Sequence, residues 1–234
     1  MMEKGRAHTV DMFNRISRWY DFLNHFLSAG IDIIWRKEAV KRLFSLSPEG
    51  PFLDVATGTG DMLLAMKKEN PEARVIGVDP AVKMVEVARK KIKKRRVEDA
   101  LLVIADGEEL PLKDRSVSGV TIAFGIRNIP DRKKALAEMA RVLKKGGVLV
   151  ILEFSKPKGV FGRVYDFYFK RVLPFLGALF SKDSFAYNYL PRSVERFPEP
   201  PRFADEILSA GFKKVMIEPF TKGICICYIA FKED

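Results

Sequence analysis

Four short polar clusters carry the residue types able to do chemistry in this chain, and each follows an apolar run. The first is Asp54-Val-Ala-Thr57-Gly58-Thr59-Gly60-Asp61, behind Pro51-Phe-Leu. Its glycines permit a tight turn and let a ligand approach the backbone, while free N–H groups at the start of a following helix make a polar cradle. The second is Asp79 with Pro80, closing RVIGVDP 19 positions after Gly60. An acid at such a strand end accepts the two hydroxyls of a ribose. The third is Ala105-Asp106-Gly107, where a short polar side chain and a backbone amide suit the edge of an adenine ring. The fourth is the end of TIAFGIRNIP, which sets Arg127 and Asn128 directly behind Gly125 and Ile126. A guanidinium stays charged at any ordinary pH, so Arg127 can stabilise an anion but cannot serve as a conventional base. A pyrophosphate fits the first turn poorly, because the dinucleotide fingerprint asks for a third Gly or Ala where this chain has Leu63.

The elements that must position these clusters alternate along the chain. PFLDVAT, RVIGVDP, ALLVIAD, SGVTIAF and GGVLVILEF read as strands, and DMLLAMKKEN, VKMVEVARKKIKK and RKKALAEMARVLK as the helices between them. Such alternation predicts a parallel sheet with helices on its faces. The C-terminal part breaks the rhythm: FADEILSAGF reads as a helix stopped at Gly211, then KKVMIEPF and GICICYIAF as two strands joined by a turn at Thr221 to Gly223. So short a connection makes the last pair antiparallel. Two further segments flank this core. DMFNRISRWYDFLNHFLS spaces Phe13, Ile16, Tyr20, Leu23 and Leu27 as one amphipathic N-terminal helix, and GRVYDFYFKRVLPFLGALF reads as an aromatic helix kinked or ended at Pro174. Either these helices simply pack on the core or they cap a hydrophobic ligand.

A single domain is expected over 1–234, divided into an N-terminal helical cap (1–45), a cofactor-binding core (46–155), a helical insertion (156–203) and a terminal helix and hairpin (204–234). With 47% hydrophobic and 30% charged residues the chain suits a globular protein with a sizeable core. No apolar run approaches a membrane span, and MMEKGRAHTV lacks the apolar region of a signal peptide, so a cytoplasmic location is expected. Cys225 and Cys227 alternate with Ile224 and Ile226, which predicts two free thiols on one strand face and no metal site. The formal charge of +11 invites nucleic-acid or anionic-membrane binding, yet much of it sits in KKIKKRR at a helix end, where a solvated face is the common arrangement.

Taken together, D-x-x-x-G-x-G-D, G-V-D-P and A-D-G resemble the class I S-adenosylmethionine-dependent methyltransferases. The resemblance implies a Rossmann-like seven-stranded sheet, mainly parallel, with an antiparallel C-terminal hairpin and helices on both faces. It also implies S-adenosyl-L-methionine as cofactor, held by Asp54, Thr57, Gly58, Thr59, Gly60, Asp79, Pro80, Asp106, Gly107 and Ala123. FGIRNIPDRKKALAEMARVLKKGGVLVILEFSKP, with Tyr20-Asp21-Phe-Leu-Asn24, Leu27-Ser28-Ala-Gly30, Trp35-Arg36, YDFYFKRVLP and YNYLPRSVERFP, further resembles the quinone-biosynthesis C-methyltransferases that act on demethylmenaquinone or ubiquinone-pathway benzoquinols.

That branch implies methylation of a ring carbon of a hydrophobic quinol. The ring must become electron-rich by ionisation of a neighbouring hydroxyl, and no metal is required. Arg127 is then expected to stabilise the oxyanion, Asn128 to orient the hydroxyl or a water, and Tyr20, His25 or water to accept the proton. The competing local reading pairs Arg127 with a carboxylate such as Asp131 to close a loop. Peripheral contact with an anionic bilayer would suit such a substrate. Nucleic acid is not expected as a partner, since the Asn/Asp-Pro-Pro-aromatic motif of base methylation is missing where Phe124-Gly-Ile-Arg127-Asn128 stands. Another small phenolic or lipid-like acceptor, or cofactor binding without quinol chemistry, are the alternatives.

Overall fold

The computed structural model describes residues 2–17, 20, 21, 25, 28, 30–47, 49–157, 159, 162 and 191–233. Helix α1 (Met2–Ile16) and α2 (Ile31–Leu46) precede β1 (Phe52–Val55), α3 (Asp61–Glu69), β2 (Val75–Val78), α4 (Val82–Lys94) and β3 (Ala100–Val103). There follow β4 (Val117–Ala123), a 3₁₀ turn (Ile126–Asn128), α5 (Arg132–Val142), β5 (Leu143–Phe154), α6 (Pro200–Ser209), β6 (Phe212–Phe220) and β7 (Cys225–Lys232).

The seven strands form one sheet in the order β3-β2-β1-β4-β5-β7-β6. Neighbours from β3 to β5 are parallel, and β7 runs antiparallel to both β5 and β6. The sheet is therefore mixed at one end, as the short C-terminal connection requires. Strand alternation sorts side chains onto two buried faces. Leu149, Ile151, Ile226 and Tyr228 pack with Leu136 and Met139 of α5 and Phe203 of α6. Val148, Val150, Leu152, Cys225 and Cys227 pack on the opposite face with Trp35 and Leu43 of α2 and Leu63 of α3. Both cysteines are free and buried, and burial pushes the Cys227 thiol up to about 12, so they act as core residues.

Two N-terminal features differ from the sequence expectation. The helix expected over 11–28 instead begins at Met2 and ends at Ile16, where Ser17 turns the chain and its hydroxyl donates to the Asn14 carbonyl. Residues 20, 21 and 25 are helical again. The second feature, α2, has a periodicity that conceals it: Ile33 and Ile34 are exposed while Asp32 and Arg36 are buried. The aromatic helix expected around Pro174 lies outside the described residues.

Candidate active site

The strand ends β1, β2, β3 and β4 open on one side of the sheet, at the point where the order reverses from β1 toward β2 on one hand and β4 on the other. Ligands of open α/β sheets bind in the crevice beyond such a switch point. A cleft open to solvent lies there. Asp79, Asp106, Asn128 and Ile129 line it, together with Val10, Phe13 and Tyr20 from the N-terminal segment.

Local geometry explains the shape of the cleft. After β1 the backbone turns left-handed at Ala56 and again at Gly58 (φ 52° and 55°), and after β4 it does so at Phe124 (φ 57°). Non-glycine residues in this region cost of order 1 kcal/mol or more and cluster where a site fixes the backbone. Gly125 follows because its missing side chain lets the two turns meet: a Cβ there would stand 2.6 Å from the Cβ of Ala56.

Three acids sit in this frame with different partners. Asp79 accepts from the backbone N–H of Gly58 (2.9 Å) and of Ala81 (2.8 Å), so it pins the glycine turn to the start of α4. Burial raises its carboxyl to about 6, with the nearby Asp106 adding to the rise. Asp54 accepts the hydroxyls of Thr57 (2.6 Å) and Thr121 (2.8 Å) and is buried at 1% exposure, which pushes it up to about 7. Asp106 accepts from the Glu108 N–H and lines the cleft beside Gly107. Pro80 and Ala123 also line the cleft.

A smaller recess continues from the cleft through Tyr20, Ala56, Gly58 and Ala123, and it is walled by Arg36, Asp54, Thr57, Thr59 and Asp61. Gly60 lines neither space; it caps α3 in a left-handed conformation, with Ala88 3.1 Å from where its Cβ would be. The N-terminal segment is fastened over this region. Asn14 accepts the Lys83 N–H at the start of α4, and Asp21 accepts the Thr59 hydroxyl and the Lys91 ammonium. Lys91 also reaches Asp61 at 2.7 Å.

Arg127 is not among the described residues that line the cleft. Its guanidinium, 7% exposed, donates to Glu153 Oε1 at 2.7 Å, to the Phe124 carbonyl at 2.6 Å and to the Ser193 hydroxyl at 3.3 Å, and lies over the Phe154 ring. The carboxylate partner is thus Glu153 and not Asp131, which caps α5 by accepting from the Lys134 N–H. His25 also lies outside the cleft lining: Nδ1 meets Asp32 at 2.9 Å and Nε2 faces Asp61 at 3.7 Å. Asn128 and Tyr20 do line the cleft, and Asn128 donates to the Phe124 carbonyl.

The donor set fits a nucleoside without phosphate. Two acids face the larger cleft, no Lys or Arg is among the described residues lining it, and a phosphate there would meet only like charge. Hydroxyl donors of a ribose match the Asp79 carboxylate, and the apolar walls at Met84 and Ile129 match a purine face.

A sheet ordered 3-2-1-4-5-7-6 with the seventh strand inserted antiparallel, and a phosphate-free nucleoside cleft at its switch point, define the class I methyltransferase fold. An S-adenosylmethionine-dependent methyltransferase from Thermotoga maritima shares it, with a TM-score of 0.67 over 95% of this chain and 99% of that one at 24% identity. Residues 1–232 match the ubiE/COQ5 methyltransferase family, and the chain belongs to it. Relatives include the demethylmenaquinone methyltransferase of Thermus thermophilus, 47% identical over 93% of this chain and 98% of that protein. The ubiquinone/menaquinone biosynthesis C-methyltransferase UbiE of Geotalea daltonii is 44% identical over 99% of each. The protein is an S-adenosylmethionine-dependent methyltransferase.

Glu153, Thr121 and Arg36 are site residues that sequence reasoning missed. Glu153 and Thr121 sit inside strands whose apolar neighbours mark core, and only the pairing of β5 with β4 and of β4 with β1 brings them to Arg127 and Asp54. The available signal was the rarity of a buried carboxylate such as Glu153 within an apolar strand.

Proposed function

We propose that this protein methylates a ring carbon of a quinol in menaquinone- or ubiquinone-type biosynthesis. The reading is carried by the relatives named above together with one observation: a cleft with no Lys or Arg among its described lining residues and with Val10, Phe13 and Tyr20 among them, so that any acceptor entering it meets apolar and aromatic surface. When bound, S-adenosyl-L-methionine supplies a methyl group on a sulfonium, an electrophile that needs no metal.

The residues of the chain then divide the work. Asp79 holds the ribose hydroxyls, and the turn over Thr57, Gly58, Thr59 and Gly60 fixes where the cofactor lies. Asp106 and Gly107 face the adenine edge; Pro80 and Ala123 complete the wall. Asn128 orients the acceptor hydroxyl, and Tyr20, above the same cleft, is the candidate to receive its proton directly or through water. Cofactor and acceptor filling the cleft would displace water from it, which strengthens each of these polar interactions.

Arg127 is assigned to positioning and not to the ring. Glu153 balances its charge, and its hydrogen bond to the Phe124 carbonyl fixes the strained turn that presents Asn128. His25 is likewise assigned to bracing α2 against α3 through Asp32 and Asp61.

The test is transfer of labelled methyl from S-adenosylmethionine to short-tailed demethylmenaquinol and to a benzoquinol, under reducing conditions. Carbon-bound label on either ring is the expected result. Cofactor binding with no transfer to either would refute the quinol assignment and leave another phenolic acceptor.

A further inference from the structure

The basic run KKIKKRR at the end of α4 contains one member that does not belong to a solvated face. Lys90, Lys93, Lys94, Arg95 and Arg96 are exposed, whereas Lys91 is half-buried. Helical spacing gives the reason: Met84 and Ala88 are buried, and Lys91 continues their stripe one turn further on. Ala88 packs at 3.1 Å against the place where a Cβ on Gly60 would stand, so this face of α4 is turned toward the loop between β1 and α3. The Lys91 ammonium there lies between two carboxylates, Asp21 at 2.5 Å and Asp61 at 2.7 Å. Asp21 also accepts the hydroxyl of Thr59, which is buried in the same loop.

Asp21 therefore joins three elements: the N-terminal segment, the glycine turn and α4. The residue before it is Tyr20, which lines both the cleft and the recess and meets the Phe13 ring edge-on at 5.9 Å between centroids. The same segment is pinned once more upstream, where Asn14 accepts the Lys83 N–H at 2.9 Å in the first turn of α4. Tyr20 is thus held between one pin at each end of that helix. Without the ammonium, Asp21 and Asp61 would repel each other, and Asp21 would be driven away from Thr59. Thr59 is in turn one residue from Gly58, whose N–H Asp79 accepts. A single hydrogen bond separates the turn assigned to the cofactor from the residue beside Tyr20.

We propose that Asp21, held by Lys91, is a positioning residue that fixes Tyr20 against the glycine turn and so sets where the phenol stands when the acceptor loses its proton. This rests on the role given to Tyr20 under the quinol reading above. It explains why one lysine of a basic run is withdrawn from solvent to sit between two acids.

The experiment compares wild type, Asp21→Asn, Lys91→Met, Lys91→Arg, Tyr20→Phe and the Asp21→Asn/Tyr20→Phe double variant by methyl transfer to short-tailed demethylmenaquinol. Cofactor affinity by calorimetry and hydrogen exchange over residues 11–28 are measured on the same samples. Asp21→Asn keeps an acceptor for Thr59 and loses the ion pair, and it should lower kcat by about 10- to 100-fold, the cost of misplacing a reacting group by about 1 Å, while cofactor affinity changes little. Lys91→Met should lower kcat at least as far, and Lys91→Arg should recover most of the loss. In the Tyr20→Phe background Asp21→Asn should cost little more, because both changes remove one function. Full additivity in the double variant would overturn the proposal, as would a loss confined to cofactor affinity or a kcat equal to that of wild type. The exchange measurement needs no acceptor: Asp21→Asn and Lys91→Met should both speed exchange, and unchanged exchange in both would overturn the fastening itself. Wild-type protein that methylates no quinol, with exchange still faster in both variants, would refute the quinol reading and leave the fastening of Tyr20 in place.

Discussion

Replacing Arg127 by methionine tests whether its guanidinium braces the site or faces the acceptor. The substitution leaves Glu153, 0% exposed, without the cation that balances it, although the backbone N–H groups of Arg127 and Phe154 still point at its oxygens. Removing one partner of a buried pair costs about 3–5 kcal/mol. For 234 residues the unfolding entropy near the melting temperature is roughly 0.5 kcal/mol/K, so the melting point should fall by about 6–10 °C. Arg127→Met with Glu153→Leu should recover most of that loss, because no charge is then stranded. Circular dichroism melts of wild type, both single variants and the double variant supply the cycle, and cofactor affinity and quinol kinetics on the same samples supply the readout at the site. An Arg127→Met protein that melts with wild type, binds cofactor normally and yet fails to methylate would refute the bracing role and return Arg127 to the oxyanion.

Other expectations follow from the same geometry. Burial raises Asp54 to about 7 and Asp79 to about 6 from 3.8, so the folded state without ligand binds more protons than the unfolded chain between about pH 4 and 7. Stability from these groups is fully present below that window and is lost as pH rises through it, and Asp54→Asn should flatten the slope by as much as about 4 kcal/mol in urea unfolding at successive pH values. Gly125→Ala forces a Cβ within 2.6 Å of Ala56 Cβ, and it should cost about 1–3 kcal/mol and weaken cofactor binding, whereas Ala56→Gly should relieve backbone strain and leave the melting point equal or higher. The basic end of α4, Lys90 to Arg96, should give salt-sensitive sedimentation with anionic vesicles and none with neutral ones; binding unaffected by salt or lipid charge would remove the electrostatic route to a bilayer.

How much was legible in advance differs by element. Strands β1 to β7 and helices α3 to α6 follow from apolar runs punctuated by glycine and from helical spacing, because each buries its own stripe or both faces. The acids at three strand ends could be read as one site for the same reason: parallel strands deliver their ends to one side. Arg127 was visible and its partner was not, since Glu153 is 26 positions away and reaches it only through β4–β5 register. A sequence places a charge near a cleft, but which way that charge turns is decided by a contact between strands. For α2 the buried Asp32–Arg36 pair inverts the usual pattern of polar exposure, so spacing alone gave no warning.

The last strand made is not the last strand in the sheet. β7 lies between β5 and β6, bonded on both sides and buried along most of its length. During synthesis, β5 therefore waits with an open edge, and β6 has no neighbour, until residues 225–232 have left the ribosome. Both sides of the core close together at that moment, since Tyr228 belongs to one face and Cys227 to the other. A nascent chain lacking its final ten residues would present two unpaired strand edges to whatever is nearby. Deleting residues 225–232 is therefore expected to open the sheet between β5 and β6 and to cost the fold far more than the loss of an edge strand would.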